Sequence, residues 1–272
     1  MTKIIRNYFL LIILLAVIVP SVISAQDINV KIGIRDSIQS EILNDSKKVM
    51  IHLPDSYSES DTSYPVLYQV KGDTASMLEI VSTVNRLAYA DEMIPEMIIV
   101  VMENVSGKDV WPRDSISAKS VDDFQTYIQK ELIPYIGNKY RTTDERVLYG
   151  QSMTAVFTLY TFINKPKLFN SYIASSGAFP FCETFFTELS HKHFQELDKY
   201  SGRTMFVTNG LKDPLMAQVN ALKQMTEFSN LVKERVGTIV SYKYLIYENE
   251  AHVPFHSLYD GLKFIYQSDE KN

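Results

Sequence analysis

The sequence predicts an α/β fold: a mostly parallel central sheet with helices on both faces. Three observations lead there. From Val66 onward, short apolar runs alternate with stretches of helical spacing, the pattern of parallel strands joined by crossover helices. The runs are apolar at consecutive positions, as in Met-Ile-Ile-Val-Val-Met at Met97–Met102, which is what strands covered on both faces require. One segment, Val147–Tyr160, passes abruptly from strand to helix around Gly150-Gln151-Ser152.

Taken in order, Met1–Ala25 stands apart. Lys3 and Arg6 precede an apolar run from Tyr8 to Val19, and small residues follow at Ser21, Ser24 and Ala25, so the segment reads as a secretory signal peptide cut after Ala25. Residues 26–272 then form one domain, exported to a periplasmic or extracellular site. The apolar run is shorter than the ~20 residues a spanning helix needs, so no stable membrane association is expected after cleavage; an uncleaved anchor is the alternative. The single cysteine, Cys182, has no partner for an internal disulfide.

Ile28, Val30, Ile32 and Ile34 alternate within a polar stretch and predict an antiparallel edge strand, and Val49–Leu53 predicts a second strand closed by Pro54-Asp55. Val66–Val70 and Met97–Met102 are buried strands flanking a helix over Leu78–Ala90. Ser120–Gly137 predicts a helix with Ser120 as its cap, Asp122 and Asp123 at its positive end, and Phe124, Tyr127, Ile128, Leu132 and Ile136 in one apolar stripe. After the strand and helix around Ser152, strands follow at Tyr172–Ser175, Met205–Thr208 and Val240–Tyr247. An aromatic excursion over Phe185–Tyr200 and helices at Leu215–Val236 and Ser257–Gln267 separate and close them.

With 272 residues, 46% of them hydrophobic, the chain can bury a full core. Its net charge of −5 comes with acids and bases mixed along the chain, so no basic stripe exists for nucleic acid or for anionic lipid.

The chemistry centres on Ser152. A strand that stops at Gly150 and a helix resuming with Val156, Leu159, Tyr160 and Ile163 lift its hydroxyl to the strand's carboxyl end, as in a nucleophile elbow; Gly150 is expected to allow the sharp bend. A serine needs a base, and a histidine base needs a carboxylate to fix its tautomer. Of five histidines, His52 lies inside an early strand, and His191 and His193 lie two apart, facing different directions on a helix. His252 follows the strand Val240–Tyr247 at the correct edge of the sheet; His256, at the entry to the last helix, is its rival. Asp213, just past Met205–Thr208, is the candidate acid and also a candidate helix cap before Pro214, with Glu248, Glu250 or no acid as alternatives. Oxyanion donors are expected from the backbone N–H of Met153 and from the loop Lys71–Asp73, where Gly72 lets the chain approach the substrate and Asp73 supplies the N–H. Trp111, Arg113 and the aromatic stretch Phe179–Phe186 are candidates for the substrate cleft. No metal and no organic cofactor is called for.

The chain resembles the Putative esterase family of α/β-hydrolases, which includes enterochelin-type siderophore esterases, S-formylglutathione hydrolase, secreted feruloyl and acetyl-xylan esterases, and the mycolyltransferases. The resemblance runs roughly from Val49 to Gln267. It rests on Tyr-Pro-Val-Leu-Tyr, on Ile-Gln-Lys-Glu-Leu-Ile-Pro-Tyr-Ile (Ile128–Ile136), on Tyr140-Arg141-Thr142, on Gly150-Gln151-Ser152-Met153, on Ser175-Ser176-Gly177, and on His252-Val253-Pro254 followed by Ser257-Leu258-Tyr259-Asp260-Gly261-Leu262. The last two point to the siderophore-esterase-like branch, and Arg113 in Trp-Pro-Arg-Asp matches an arginine that such proteins carry. The family writes Gly-His-Ser-x-Gly-Gly, whereas Thr154 and Ala155 replace the two glycines here, and its Leu-Asp-Gly has become Val70-Lys71-Gly72.

The resemblance implies an α/β-hydrolase fold and an exported serine esterase that forms an acyl-enzyme on a small-molecule or polymer-linked ester, siderophore-like or polysaccharide-like. An acyltransferase is the rival of the same chemistry. A hydrolase-fold binding protein with weakened catalysis is the rival of a different class, motivated by Thr154 and Lys71.

Overall fold

Leu67, Ile99, Val101, Val147, Tyr149, Ile173 and Phe206 point to one face of a central sheet, while Val66, Tyr68, Val100, Leu148, Tyr172 and Val207 point to the other. This period of two sends neighbouring residues of each strand into two separate cores. The computed structural model describes residues 30–177, 183–215 and 221–268. The chain divides into Met1–Lys31 and Ile32–Asn272. The signal-peptide reading of residues 1–25 and Cys182 lie outside the described residues, and no described helix is long and apolar enough to cross a membrane.

The sheet has eight strands: β1 (Ile34–Ser40), β2 (Asp45–His52), β3 (Tyr64–Gln69), β4 (Ile98–Met102), β5 (Thr142–Gln151), β6 (Ser171–Ser175), β7 (Arg203–Gly210) and β8 (Val240–Tyr247). Their order is β1-β2-β4-β3-β5-β6-β7-β8. The β1–β2 and β2–β4 pairs are antiparallel, and every later pair is parallel. This is the α/β-hydrolase arrangement expected from the sequence. Ser152 follows β5, in the interior of the parallel region.

The edge strand lies later than the alternation Ile28–Ile34 implied, since β1 begins where that alternation ends. The register is fixed from the other side. Glu131 accepts the Ser40 hydroxyl at 2.5 Å and the backbone N–H groups of Glu41 and Ile42 at 3.0 and 3.2 Å, tying the β1–β2 turn to a helix that local periodicity cannot see.

Helices α1 (Thr74–Asn85) and α8 (Ser257–Ser268) cover one face through Met77, Ile80, Val84, Leu258, Leu262 and Ile265. The other face carries α2 (Gly107–Val110), α3 (Ser115–Tyr127), α4 (Ile133–Lys139), α5 (Met153–Asn164), α6 (Glu183–His193) and α7 (Ala221–Val236). A π-helical turn at Ile128–Leu132 joins α3 to α4. The helix expected from Ser120 starts at Ser115, and its cap is Asp114, whose carboxylate accepts the N–H groups of Ile116 and Ser117. Its first turn is polar, and Ile116 is 86% exposed, so the apolar stripe could not reveal it. Asp122, expected to serve the helix dipole, instead accepts from Tyr160 Oη at 2.7 Å and Asn164 Nδ2 at 3.1 Å, joining α3 to α5.

Helix α5 is buried from Thr154 to Ile163. Phe162 is its hub, with ring centroids 5.4 Å from Tyr172, 5.5 Å from Tyr200 and 6.4 Å from Phe194. The Tyr140-Arg141-Thr142 motif proves to be a staple: Arg141 lies 3.9 Å above the Tyr57 ring and donates to the carbonyls of Tyr57, Ser60 and Thr62. It fixes the loop that feeds β3.

Candidate active site

One residue separates β5 from α5. Ser152 has φ 53° and ψ −120°, a conformation that costs a non-glycine residue about 1–3 kcal/mol and persists only where the surroundings impose it. They do so here through a 2.8 Å bond from the Ser152 N–H to the Ser175 carbonyl, and through the Ser152 carbonyl, which accepts from Ala155 N–H at 3.0 Å. The bend therefore sits on Ser152 itself and not on Gly150, whose φ is not positive. Gly150 is needed for another reason. A Cβ there would stand 2.2 Å from the Thr154 carbonyl oxygen and 2.4 Å from Thr158 Oγ1, so only glycine lets α5 cross so close to the strand.

A β-branched residue needs more room than a glycine, and Thr154 finds it by turning back into the elbow. Its hydroxyl accepts from Gln151 N–H and donates to Gln151 C=O, both at 2.8 Å. The β-branched side chain thus closes the turn from inside.

Asp213 lies in the loop after β7, 2% exposed, and its two carboxylate oxygens make separate contacts. Its Oδ1 accepts from Leu215 N–H at 2.9 Å as a helix cap, while Oδ2 stands 2.6 Å from His252 Nδ1. His252 follows β8, and its Nε2 lies 2.8 Å from Ser152 Oγ. A carboxylate can only accept, so Nδ1 carries the proton and the Nε2 lone pair faces the serine hydroxyl. Glu248 and Glu250 make no hydrogen bond to His252. His256 is exposed, with its ring 6.4 Å from that of Tyr247. The arrangement can take a proton from Ser152 and hold the resulting imidazolium against a buried carboxylate.

The N–H of Met153, first residue of α5, has no partner within the helix's own ladder and stands beside Ser152. In the loop that follows β3, Lys71 has φ 60°. Gly72 donates to Met102 C=O at 2.9 Å, and a Cβ on it would meet Val101 Cγ1 at 2.6 Å, so packing inside the fold accounts for this glycine more directly than approach to a substrate. Asp73 caps α1. Hydrogen bonds from the Ser76 backbone and hydroxyl hold its carboxyl below the usual range, and its own N–H makes only a 3.4 Å contact with Ser76 Oγ. A contact that long leaves this N–H available to a better acceptor.

Trp111 and Arg113, the candidates for the cleft, come together. With Gly107, Lys108, Ser117, Ser120 and Met153 they line a cavity of about 610 Å³. Among the described residues that line it are two cations and no carboxylate. The nearby acids are occupied: Asp109 is buried against Lys47 at 3.5 Å, and Asp114 caps α3. The aromatic stretch divides. Phe186 is fully buried beside Tyr160 in the core, Phe185 packs on the same ring, and residues 178–182 lie outside the described residues.

The family described as Putative esterase matches the sequence over residues 40–254. The chain belongs to that family. The esterase is therefore a carboxylic ester hydrolase. No curated protein matches it in sequence. Among solved structures it is similar to an IroE-like serine hydrolase from Shewanella oneidensis (TM-score 0.77, 21% identity, 86% of this chain and 80% of that one). It is also similar to the siderophore hydrolase EstA from Aspergillus nidulans (0.73, 16%, 91% and 99%) and to a ferulic acid esterase (0.67, 20%, 86% and 97%). At these identities the likeness establishes the shared fold.

Two residues of the esterase site escaped the sequence reading. A Cβ on Gly210 would stand 1.9 Å from the Ala251 carbonyl oxygen, so this glycine lets the loops bearing Asp213 and His252 touch. Its position at the end of β7 was the available signal. Ser176 was noticed only as part of a motif, and its role comes from contacts with a loop far along the chain.

Proposed function

We propose that the esterase is an exported serine hydrolase that cleaves its ester through an acyl-enzyme. Ser152 Oγ attacks the ester carbonyl carbon as its proton passes to His252 Nε2, and Asp213 holds the imidazolium that forms. The N–H groups of Met153 and Asp73 receive the negative charge on the former carbonyl oxygen. Collapse breaks the C–O bond, and the alcohol leaves with the proton from His252. Water then attacks the acyl-enzyme by the same route and releases the acid. The observation that carries this reading is the unbroken line of hydrogen bonds, Ser152 Oγ to His252 Nε2 at 2.8 Å and His252 Nδ1 to Asp213 Oδ2 at 2.6 Å.

For substrate, the reading favours a siderophore-like or polysaccharide-linked ester bearing an aromatic acid. It draws support from the cavity of Trp111, Arg113 and Lys108 beside Met153, and from the solved neighbours, one a siderophore hydrolase and one a ferulic acid esterase. A fluorophosphonate probe tests the nucleophile: the wild type is labelled and Ser152→Ala is not. Labelling of both, or of neither, would overturn the reading. N-terminal sequencing of the mature protein, with Gln26 as the expected first residue, tests export.

A further inference from the structure

Val253, the residue after the base, has φ 56°. A β-branched side chain rarely adopts such a conformation, so something outside the loop must impose it. The N–H of Val253 donates to Ser176 Oγ at 3.0 Å, which joins it to a residue 77 positions earlier. Ser176 directly follows β6, is 1% exposed, and itself has φ 50°. Its N–H donates to Thr208 C=O at 2.8 Å, which continues the β6–β7 ladder past the end of the strand.

The preceding residue completes the picture. The Ser175 carbonyl accepts the N–H of Ser152 at 2.8 Å, and the Ser175 hydroxyl lies 2.9 Å from Ser257 Oγ, which in turn lies 2.7 Å from Thr208 Oγ1. Two adjacent residues of one buried, rigid strand end therefore hold the backbone of Ser152 on one side and the backbone beside His252 on the other. Ser152 and His252 lie 100 residues apart in sequence, and each is fixed to the same dipeptide.

We propose that Ser176 is a positioning residue for His252. By accepting the Val253 N–H, its hydroxyl holds the histidine loop in the left-handed turn that brings Nε2 within reach of Ser152. Without that acceptor the turn relaxes and the base moves away from the serine, while the cleft that binds the substrate is unchanged.

The inference rests on His252 being the base, and the experiment separates the two. Steady-state kinetics on a soluble aryl ester compares the wild type with Ser176→Ala, Ser176→Gly and Ser176→Thr, each also in a His252→Ala background. The expected result is a loss of kcat on the order of 10–100-fold in the alanine variant, with KM within about twofold, consistent with the sensitivity of catalysis to small misplacements. The glycine variant loses as much, because it tolerates the backbone conformation but lacks the acceptor, and it carries the test if the alanine variant does not fold. The threonine variant, which keeps the hydroxyl, retains more activity than either. In the His252→Ala background the Ser176 substitutions change nothing further. Recovery of kcat by Ser176→Gly, or an equal fold-loss with and without His252, would overturn the proposal. Should His252→Ala itself retain full activity, the underlying assignment of the base fails instead.

Discussion

Thr154 holds Gln151 by both of its backbone groups, accepting the N–H and donating to the carbonyl, each at 2.8 Å. The pairing explains how a β-branched residue stands where the family has glycine. The hydroxyl supplies the bonds that the end of β5 would otherwise lack next to the strained Ser152, so the substitution reinforces the elbow.

Replacing Thr154 by valine keeps the shape and removes the hydroxyl, leaving two backbone groups without a partner. Stability should fall by about 1–3 kcal/mol, with a lower kcat and a similar KM, whereas Thr154→Ser stays near the wild type. Urea unfolding alongside steady-state kinetics checks this, and a valine variant as stable and active as the wild type would refute it.

Gly150→Ala should be among the most damaging changes available, since its new methyl group meets the backbone oxygen of Thr154 at 2.2 Å, an atom that cannot swing aside. Gly137→Ala makes the contrast. Its nearest neighbour is Thr142 Oγ1 at 3.6 Å, and it lies within α4, so alanine should stabilise by roughly 0.5–1 kcal/mol. Thermal denaturation of the two variants should show shifts of opposite sign.

Asp213→Asn separates the two duties of one carboxylate. An asparagine can still accept the Leu215 N–H, so the melting temperature should change little. It can also offer an N–H to His252 Nδ1, favouring the tautomer whose proton faces Ser152, and kcat should fall by a factor on the order of 10³–10⁴. A variant that loses stability and activity in parallel would argue for a structural role alone.

The sequence reading recovered the strands from Val66 onward because they are buried on both faces and their composition carries the signal. It singled out Ser152, His252 and Asp213, which the fold brings within hydrogen-bond distance of one another, because each lies in a loop past the carboxyl end of a parallel strand. It misplaced β1 and the start of α3, where the deciding contacts come from Glu131 on the distant π-helical turn and from Asp114 in a polar turn. It credited Gly150 with the bend and Gly72 with substrate approach, because close packing against Thr154 or Val101 is a property of two segments at once and neither shows it alone. Phe186 read as a cleft residue, since an aromatic in an irregular stretch looks the same whether it faces ligand or core.

Asp36 offers a test of the outer sheet. Hydrogen bonds from Lys139 and Tyr135, both at 2.5 Å, hold its carboxyl at a pKa of about 2. A carboxylate depressed on folding stabilises fully above its unfolded pKa of about 3.9, and this contribution is lost as pH falls through about 2. Asp36→Asn should therefore be less stable than the wild type at pH 7, by roughly 0.2–1 kcal/mol for a half-buried carboxylate whose partner Lys139 is exposed. The gap should narrow between pH 4 and 2, as about that range spans the two pKa values. Chemical denaturation over a pH series measures it, and a gap that widens on acidification would contradict the assignment.

The wide separation along the chain of Ser152, Asp213 and His252, the groups of the proposed mechanism, reaches into biosynthesis. A nascent polypeptide released only as far as Tyr247 would own a finished elbow, a buried carboxylate and most of its sheet, yet have nothing to deprotonate the hydroxyl. Contacts between such distant segments form late and slowly. With His252 as the base, hydrolytic power would thus switch on only after the segment beyond β8 has been made and packed against the elbow.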